Sequence, residues 1–215
     1  MSLPDVVIYR INDYPDGLWA IPNNRSARFN SDGIGATQYF SFHPLGTYPE
    51  LLRDLERPLG RALRENDPEI TEFKRSLWAF RADLDEVFDL TFDSCGVLGL
   101  TPADLVDDDH AACRRAGDAY GHGDPQFPSI WRYPSASLPG VTNLVMFGAK
   151  AVVSYDGQTV SAADLPGTVA ASAAKVPLEL MPHMRHIGEI HASYEARLRG
   201  QEHVFDQPTT FRVRT

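Results

Sequence analysis

Strand-like segments stand at both ends of the chain, helical ones lie between them, and no regular βαβ alternation links them. That order predicts an α+β fold rather than a doubly wound parallel sheet. "DVVIYRI" (Asp5 to Ile11) is a β-branched run and predicts a strand. Asn12 to Asn24 is rich in Pro, Gly, Asn and Asp and reads as loop. "SARFNS" reads as a short strand end, "SDGIG" as a turn and "ATQYFSF" as a strand. A helix is expected from near Thr47, broken or kinked at Pro58.

Further on, "RSLWAFRADLDEVFDLT" is β-rich. "LTPADLV" carries helix-start signals, with Thr101 as N-cap, Pro102 at the first helical position and Asp104 three residues past the cap. "DDDHAACRRAGDAYGHG" predicts a second helix with a Gly-rich stop. "PSIWRYPSASLPG" reads as strand then turn, and "TNLVMFGAKAVVSYDGQTV" as two strands with a hairpin signal at Asp156-Gly157. "VAASAAKVPLELM" fits either state, while "MPHMRHIGEIHASYEARLRG" is expected to be helical.

At 215 residues, one domain is expected. A net charge of −9, from 20 basic and 29 acidic side chains, argues against non-specific nucleic-acid binding as the main task. A local arginine cluster can still override that field for a small anion. Cys95 and Cys113 have no metal-like spacing; one disulfide is open to them, but two buried thiols of a reducing compartment is the commoner case. "MSLPDVVIYR" lacks the pattern of a secretory signal, and no apolar run nears the roughly 20 residues of a membrane helix. A cytoplasmic location is expected.

Several residues invite a chemical role beside a plain one. Thr47-Tyr48-Pro49-Glu50 has the form of a capping box, which would employ Glu50 structurally. A helix-start Glu beside a Gly-rich turn is equally a place for a catalytic carboxylate. Arg28 is either a solvated loop residue or an anion clamp. Arg10 interrupts an apolar strand, so it sits at an edge or points into a cleft. Tyr39 suits core or stacking platform, and Ser135 follows Pro134, where turn chemistry alone accounts for it. His183, His186 and His191 lie together with Glu189 but lack HExxH spacing, and Asp107 to Asp109 lacks the alternation of a calcium loop. "GIGATQ" is a fragment of a dinucleotide fingerprint without its third glycine. No metal is expected.

Taken in order, "YRI", "ARFNSDG", Tyr39, Glu50 opening a helix, "LTPADL", "YPSAS" and "TNLVMF" resemble the RES domain, over about Tyr9 to Phe147. The resemblance implies an ADP-ribosyltransferase-like fold: a split, mainly antiparallel β core with surrounding helices and NAD in its cleft. It implies a catalytic domain over residues 1–155 and a C-terminal extension, 156–215, packed on that domain. RES proteins are toxins of bacterial toxin–antitoxin pairs that consume NAD by hydrolysis or phosphorolysis, and some ADP-ribosylate a protein. The implied partners are NAD, inorganic phosphate and an antitoxin with an Xre-type DNA-binding domain. Direct nucleic-acid or membrane binding is not implied, and the assembly is a homo-oligomer or a toxin–antitoxin complex.

By the same resemblance Glu50, Arg28, Tyr39 and Ser135 are the catalytic residues, and Arg10, Arg28, Tyr39 and Asn143 bind NAD. Arg28 and Arg10 would clamp the pyrophosphate, Tyr39 would stack on nicotinamide, and Glu50 would hold the ribose and stabilise positive charge. Ser135 would hydrogen-bond the ribose or the carboxamide. The sequence departs from the family pattern at Ala27, where Gly is usual, and at Ser137, where Arg is usual. The gap from Gly33 to Tyr39 is one residue longer, and "GTYP" precedes Glu50. Besides an NAD-consuming enzyme, a protein ADP-ribosyltransferase and a non-catalytic RES-fold binding protein remain open.

Overall fold

The computed structural model describes residues 1–13, 17–18, 25–148, 151–153, 159–162 and 167–207, with the backbone alone for 151–153, 159–162 and 167–173. Six strands, β1 (Leu3–Asn12), β2 (Thr37–Ser41), β3 (Arg75–Leu84), β4 (Val87–Asp89), β5 (Ile130–Pro134) and β6 (Thr142–Phe147), belong to the main sheet. β7 (Ala151–Val153) and β8 (Thr159–Ala162) form a separate antiparallel pair, and β9 (Gly167–Ala174) returns to the main sheet. Its order is β4-β5-β6-β2-β1-β3-β9. Every pairing is antiparallel except β4 with β5. The fold is therefore α+β with a mainly antiparallel core.

The sheet is nearly divided in its middle. β1 pairs with β3 from Val6↔Ala82 to Asn12↔Ser76, but meets β2 only at Tyr9↔Ser41. Beyond that point β1 and β2 diverge and leave a gap between the two halves. Along β6 the side chains from Asn143 to Phe147 are all buried, so both faces are covered. Rings fill one of the spaces: Trp131 and Phe147 stand 4.6 Å apart, Phe29 and Tyr133 4.9 Å. Full burial of side chains such as Trp131, Phe29 and Phe80 contributes about 1.5–3 kcal/mol each.

Among the described residues four α-helices complete the fold: α1 (Thr47–Leu59), α2 (Pro68–Thr71), α3 (Ala111–Ala116) and α4 (Ala192–Leu198). α1 packs Tyr48 and Leu52 into a core cluster with Leu77, Leu138, Leu180 and Met184. Pro58 lies in its last turn, and the helix ends at Gly60, which adopts φ 62°. α3 runs on into a π-helical stretch, Gly117–His122. Cys95 and Cys113 are free and buried. Among the described residues no helix is long and apolar enough to cross a membrane.

Three local expectations are corrected. "SARFNS" is a bend, not a strand end. "LTPADLV" forms its capping contacts, with Thr101 N–H 2.7 Å and Thr101 Oγ 2.6 Å from Asp104 Oδ2, yet continues as turns. Leu105 and Val106 are buried there, and their carbonyls accept from Arg28 and Arg185 instead of from a following helical turn. Residues 181–191 are likewise not helical: Glu56 accepts the His186 Nδ1 proton at 2.5 Å and the Ile187 N–H at 3.1 Å, which holds an open turn. The Asp156-Gly157 hairpin signal lies outside the described residues.

Candidate active site

Where the sheet halves part, a cleft of about 810 Å³ opens. Its wall includes Arg10 of β1, Tyr39 of β2, Glu50 of α1, Asn143 of β6 and Arg28 of the loop before β2. Five of the six residues singled out above thus meet around one space. Ser135 is the exception.

Glu50 occupies the first turn of α1, but its carboxylate turns away from the helix end. Oε1 accepts the Ser135 Oγ proton and an Asn143 Nδ2 proton, both at 2.7 Å, and Oε2 accepts the Ser137 Oγ proton at 2.8 Å. The capping box is therefore not formed. Thr47 is the first helical residue rather than the N-cap, and its hydroxyl donates to the Pro44 carbonyl at 2.8 Å. Gly46 takes the cap position, where a Cβ would lie 2.2 Å from Ser41 Oγ. The close approach of β2 to the helix start excludes any larger capping residue.

Ser135 is fully buried behind Glu50 and off the cleft wall. Its oxygen accepts from the backbone N–H of Ser137 at 3.2 Å and of Leu138 at 3.0 Å, while its one proton goes to Glu50. In this arrangement the Ser135 hydroxyl reaches Glu50 rather than the open cleft. Ser137, at the position where the family pattern has Arg, is the second hydroxyl on Glu50. Nothing in its local sequence marks it, and it reaches Glu50 because the chain turns after β5, with Ser135 Oγ accepting from the Ser137 and Leu138 N–H groups.

Arg28 is 5% exposed. Its Nη1 donates to the Leu105 carbonyl at 2.8 Å, while Nη2 is buried without a hydrogen-bond partner. The loop that carries Arg28 is held by Tyr39, whose hydroxyl donates to Asn30 Oδ1 at 2.7 Å and accepts the Phe29 N–H at 3.0 Å. Burial pushes the Tyr39 phenol up, so it stays neutral. Arg10 donates to the Gly17 carbonyl at 3.0 Å and lies 5.7 Å from the centre of the Phe40 ring.

Two further buried arginines stand behind this wall. Arg53, 2% exposed, donates to the Ala136 carbonyl at 3.0 Å and pairs with Asp108; Arg185, 7% exposed, reaches the same carboxylate at 3.3 Å. Burial, then Arg185, pushes the Arg53 guanidinium down to about 10. The site is locally cationic within an acidic protein. A hint was present in "PELLRDLERPL", where Arg53 falls three residues after Glu50 and next to Leu52 on the buried side of α1.

His110, also on the cleft wall, was not anticipated. Arg57 Nη2 stands 3.2 Å from its Nε2, and a guanidinium only donates, so the ring accepts there and is neutral. Burial and the charges of Arg28, Arg57 and Arg53 hold its pKa far below the ordinary histidine value. The three clustered histidines of the C-terminal segment go to separate places: His183 beside Phe205, His186 on Glu56, His191 under the Ser135 carbonyl. Among the described residues no group of three or more His, Cys, Asp or Glu is arranged to hold a metal ion.

These histidines set a pH dependence. His191 is pushed down to about 4 and His110 further, both first by burial. As pH falls below about 6.5 the unfolded chain takes up these protons and the folded one does not, so stability drops by up to about 1.4 kcal/mol per group per pH unit. His186, raised by its bond to Glu56, acts oppositely: its contribution is complete below about 6.5 and is lost at higher pH. With two groups against one, the melting temperature is expected to fall by about 5 °C between pH 7.5 and 5. Thermal melts across that range check it, and a flat or rising profile would contradict the balance.

A family model described as the RES domain matches residues 7–166. In fold, the chain is similar to one in the crystal structure of the M. tuberculosis MbcT–MbcA toxin–antitoxin complex, with a TM-score of 0.52 and 14% identity over 84% of this chain and 89% of that one. No curated protein matches.

Proposed function

The chain belongs to the RES domain family, and on that premise we propose that it is the toxin of a toxin–antitoxin pair, cleaving the nicotinamide–ribose bond of NAD. One observation carries the reading: a carboxylate on a cleft wall, aimed by three hydrogen-bond donors, with the Arg28 guanidinium on the same wall.

Bond breaking sends the C–N electron pair onto the pyridinium ring, so nicotinamide leaves neutral and the ribose becomes a cation-like centre. The leaving group needs no proton and no Lewis acid. What the reaction requires is negative charge near C1″, fixed before the reaction begins. Glu50 meets that need, because its three donors hold it in one rotamer. Arg28 Nη2 and Arg10 suit the pyrophosphate, and the Tyr39 ring is a platform for the nicotinamide. A nucleophile then attacks from the open side: water gives ADP-ribose, and inorganic phosphate gives ADP-ribose 1″-phosphate. An exposed site of this kind would harm its own cell, so a cognate antitoxin is part of the proposal. The solved neighbour, being a toxin–antitoxin complex, supports that partner.

The purified protein, free of antitoxin, is expected to consume NAD in excess chelator and to release a small product. Mass spectrometry with and without phosphate distinguishes the two acceptors. ADP-ribose attached to one host protein, with little free product, would establish the protein ADP-ribosyltransferase instead. Intact NAD after hours with folded protein would leave only the binding role.

A further inference from the structure

The two hydroxyls that aim Glu50 sit on the turn after β5, and this turn is held from outside the region matched by the family model. Three consecutive carbonyls are tied down. His191 Nε2–H donates to Ser135 O at 2.9 Å. Ala136 O accepts from Arg185 Nη1 at 3.3 Å, in addition to Arg53. The Arg185 backbone N–H donates to Ser137 O at 2.8 Å. Farther along, the Gly140 N–H reaches Ser193 Oγ at 3.0 Å.

We propose that Arg185 and His191 are positioning residues for Glu50: they fix the Ser135–Ser137 backbone, and through it the hydroxyls that orient the carboxylate. The proposal rests on the reading of Glu50 as the reacting carboxylate. The geometry is too specific for a surface charge and a core ring. Arg185 spreads its donors over the carbonyls of Ala136, Val106 at 2.6 Å and Glu189 at 2.7 Å, and over Asp108. It thereby bridges the serine turn to the segment whose Leu105 carbonyl holds Arg28. His191 is 2% exposed, and because a carbonyl oxygen only accepts, its proton is on Nε2. Its Nδ1 is buried with no partner. Well-packed apolar side chains would serve stability at least as well as such buried polar groups. What these residues add, beside Arg53 and the turn's own bonds, is a fixed direction for the Ser135–Ser137 backbone. Held to its place, a hydroxyl donates without first losing conformational freedom.

The test compares His191→Leu, which removes the donor, with His191→Gln, whose amide N–H replaces it, and with Arg185→Lys. Two quantities are read on the full chain: kcat and KM for NAD, and hydrogen exchange at the amides of Ser137 and Leu138, which donate to Ser135 Oγ. His191→Leu is expected to lower kcat about tenfold with KM little changed, since misplacement by a fraction of an ångström has effects of that order. The two amides are expected to exchange faster, and His191→Gln to restore both. Arg185→Lys is expected to reproduce the same split, and it decides the matter if His191→Leu does not fold. Folded variants with wild-type kcat and wild-type exchange would overturn the proposal, as would a fall in kcat with exchange unchanged. Should the wild-type protein leave NAD intact, the proposed reaction fails, but the exchange arm still tests the positioning.

Discussion

Glu50→Gln is expected to lose at least about a hundredfold in NAD turnover while melting close to the wild-type temperature. The substitution is isosteric. Its amide oxygen can face Ser135 and Asn143, the two donors now on Oε1, and its NH2 can face Ser137 Oγ, which rotates to accept. The reverse orientation is disfavoured, because Ser135 Oγ already accepts two backbone N–H groups. Local structure therefore survives, and what disappears is the charge. A pre-aimed charge at a developing cation is worth roughly 3 kcal/mol, or about a hundredfold in rate. Steady-state kinetics with a parallel melt checks both halves. Near-wild-type turnover would remove Glu50 from the chemistry and leave it a structural carboxylate holding β6 and the serine turn to α1.

Arg28→Lys is expected to weaken NAD binding by about ten- to a hundredfold, which corresponds to the roughly 1.5–3 kcal/mol of a charged hydrogen bond. A lysine ammonium that keeps the bond to the Leu105 carbonyl has no second, divergent N–H in the guanidinium plane to present to a phosphate. The loop itself should stay in place, since the Tyr39 hydroxyl ties Phe29 and Asn30 independently of the Arg28 side chain. Calorimetry on Glu50→Gln and on Glu50→Gln/Arg28→Lys isolates binding from turnover. Equal dissociation constants in the two would show that Arg28 does not clamp the substrate.

Local pattern located β1, β2, β5, β6 and α1, because β-branched runs and amphipathic spacing act over a few residues, but it read residues 142–160 as two strands where three stand. "TNLVMF" is an example: a continuous apolar run became a strand covered on both faces. The class of the fold was legible for the same reason, from element order alone. Arg10 stood out as a charge in an apolar strand, and it does face the cleft.

The failures share a cause. Thr47 and Glu50 carry the letters of a capping box, and Thr101 and Asp104 form its bonds, yet neither motif caps a helix as its letters predict. In the first case donors 85 to 93 residues away claim the carboxylate. In the second, arginines 77 and 79 residues away claim the carbonyls that a helix would have used. Ser135 followed the same rule, its proton taken by a helix brought against it by packing. The sequence by itself determined most of the strands, α1, the α+β class and the kinds of group available: an acid, arginines, a tyrosine and hydroxyls. Only the tertiary structure decided which of them meet, which face the cleft and which stand behind it, because a hydrogen bond is chosen by distance in space, and buried donors and acceptors take whichever partners packing places within reach.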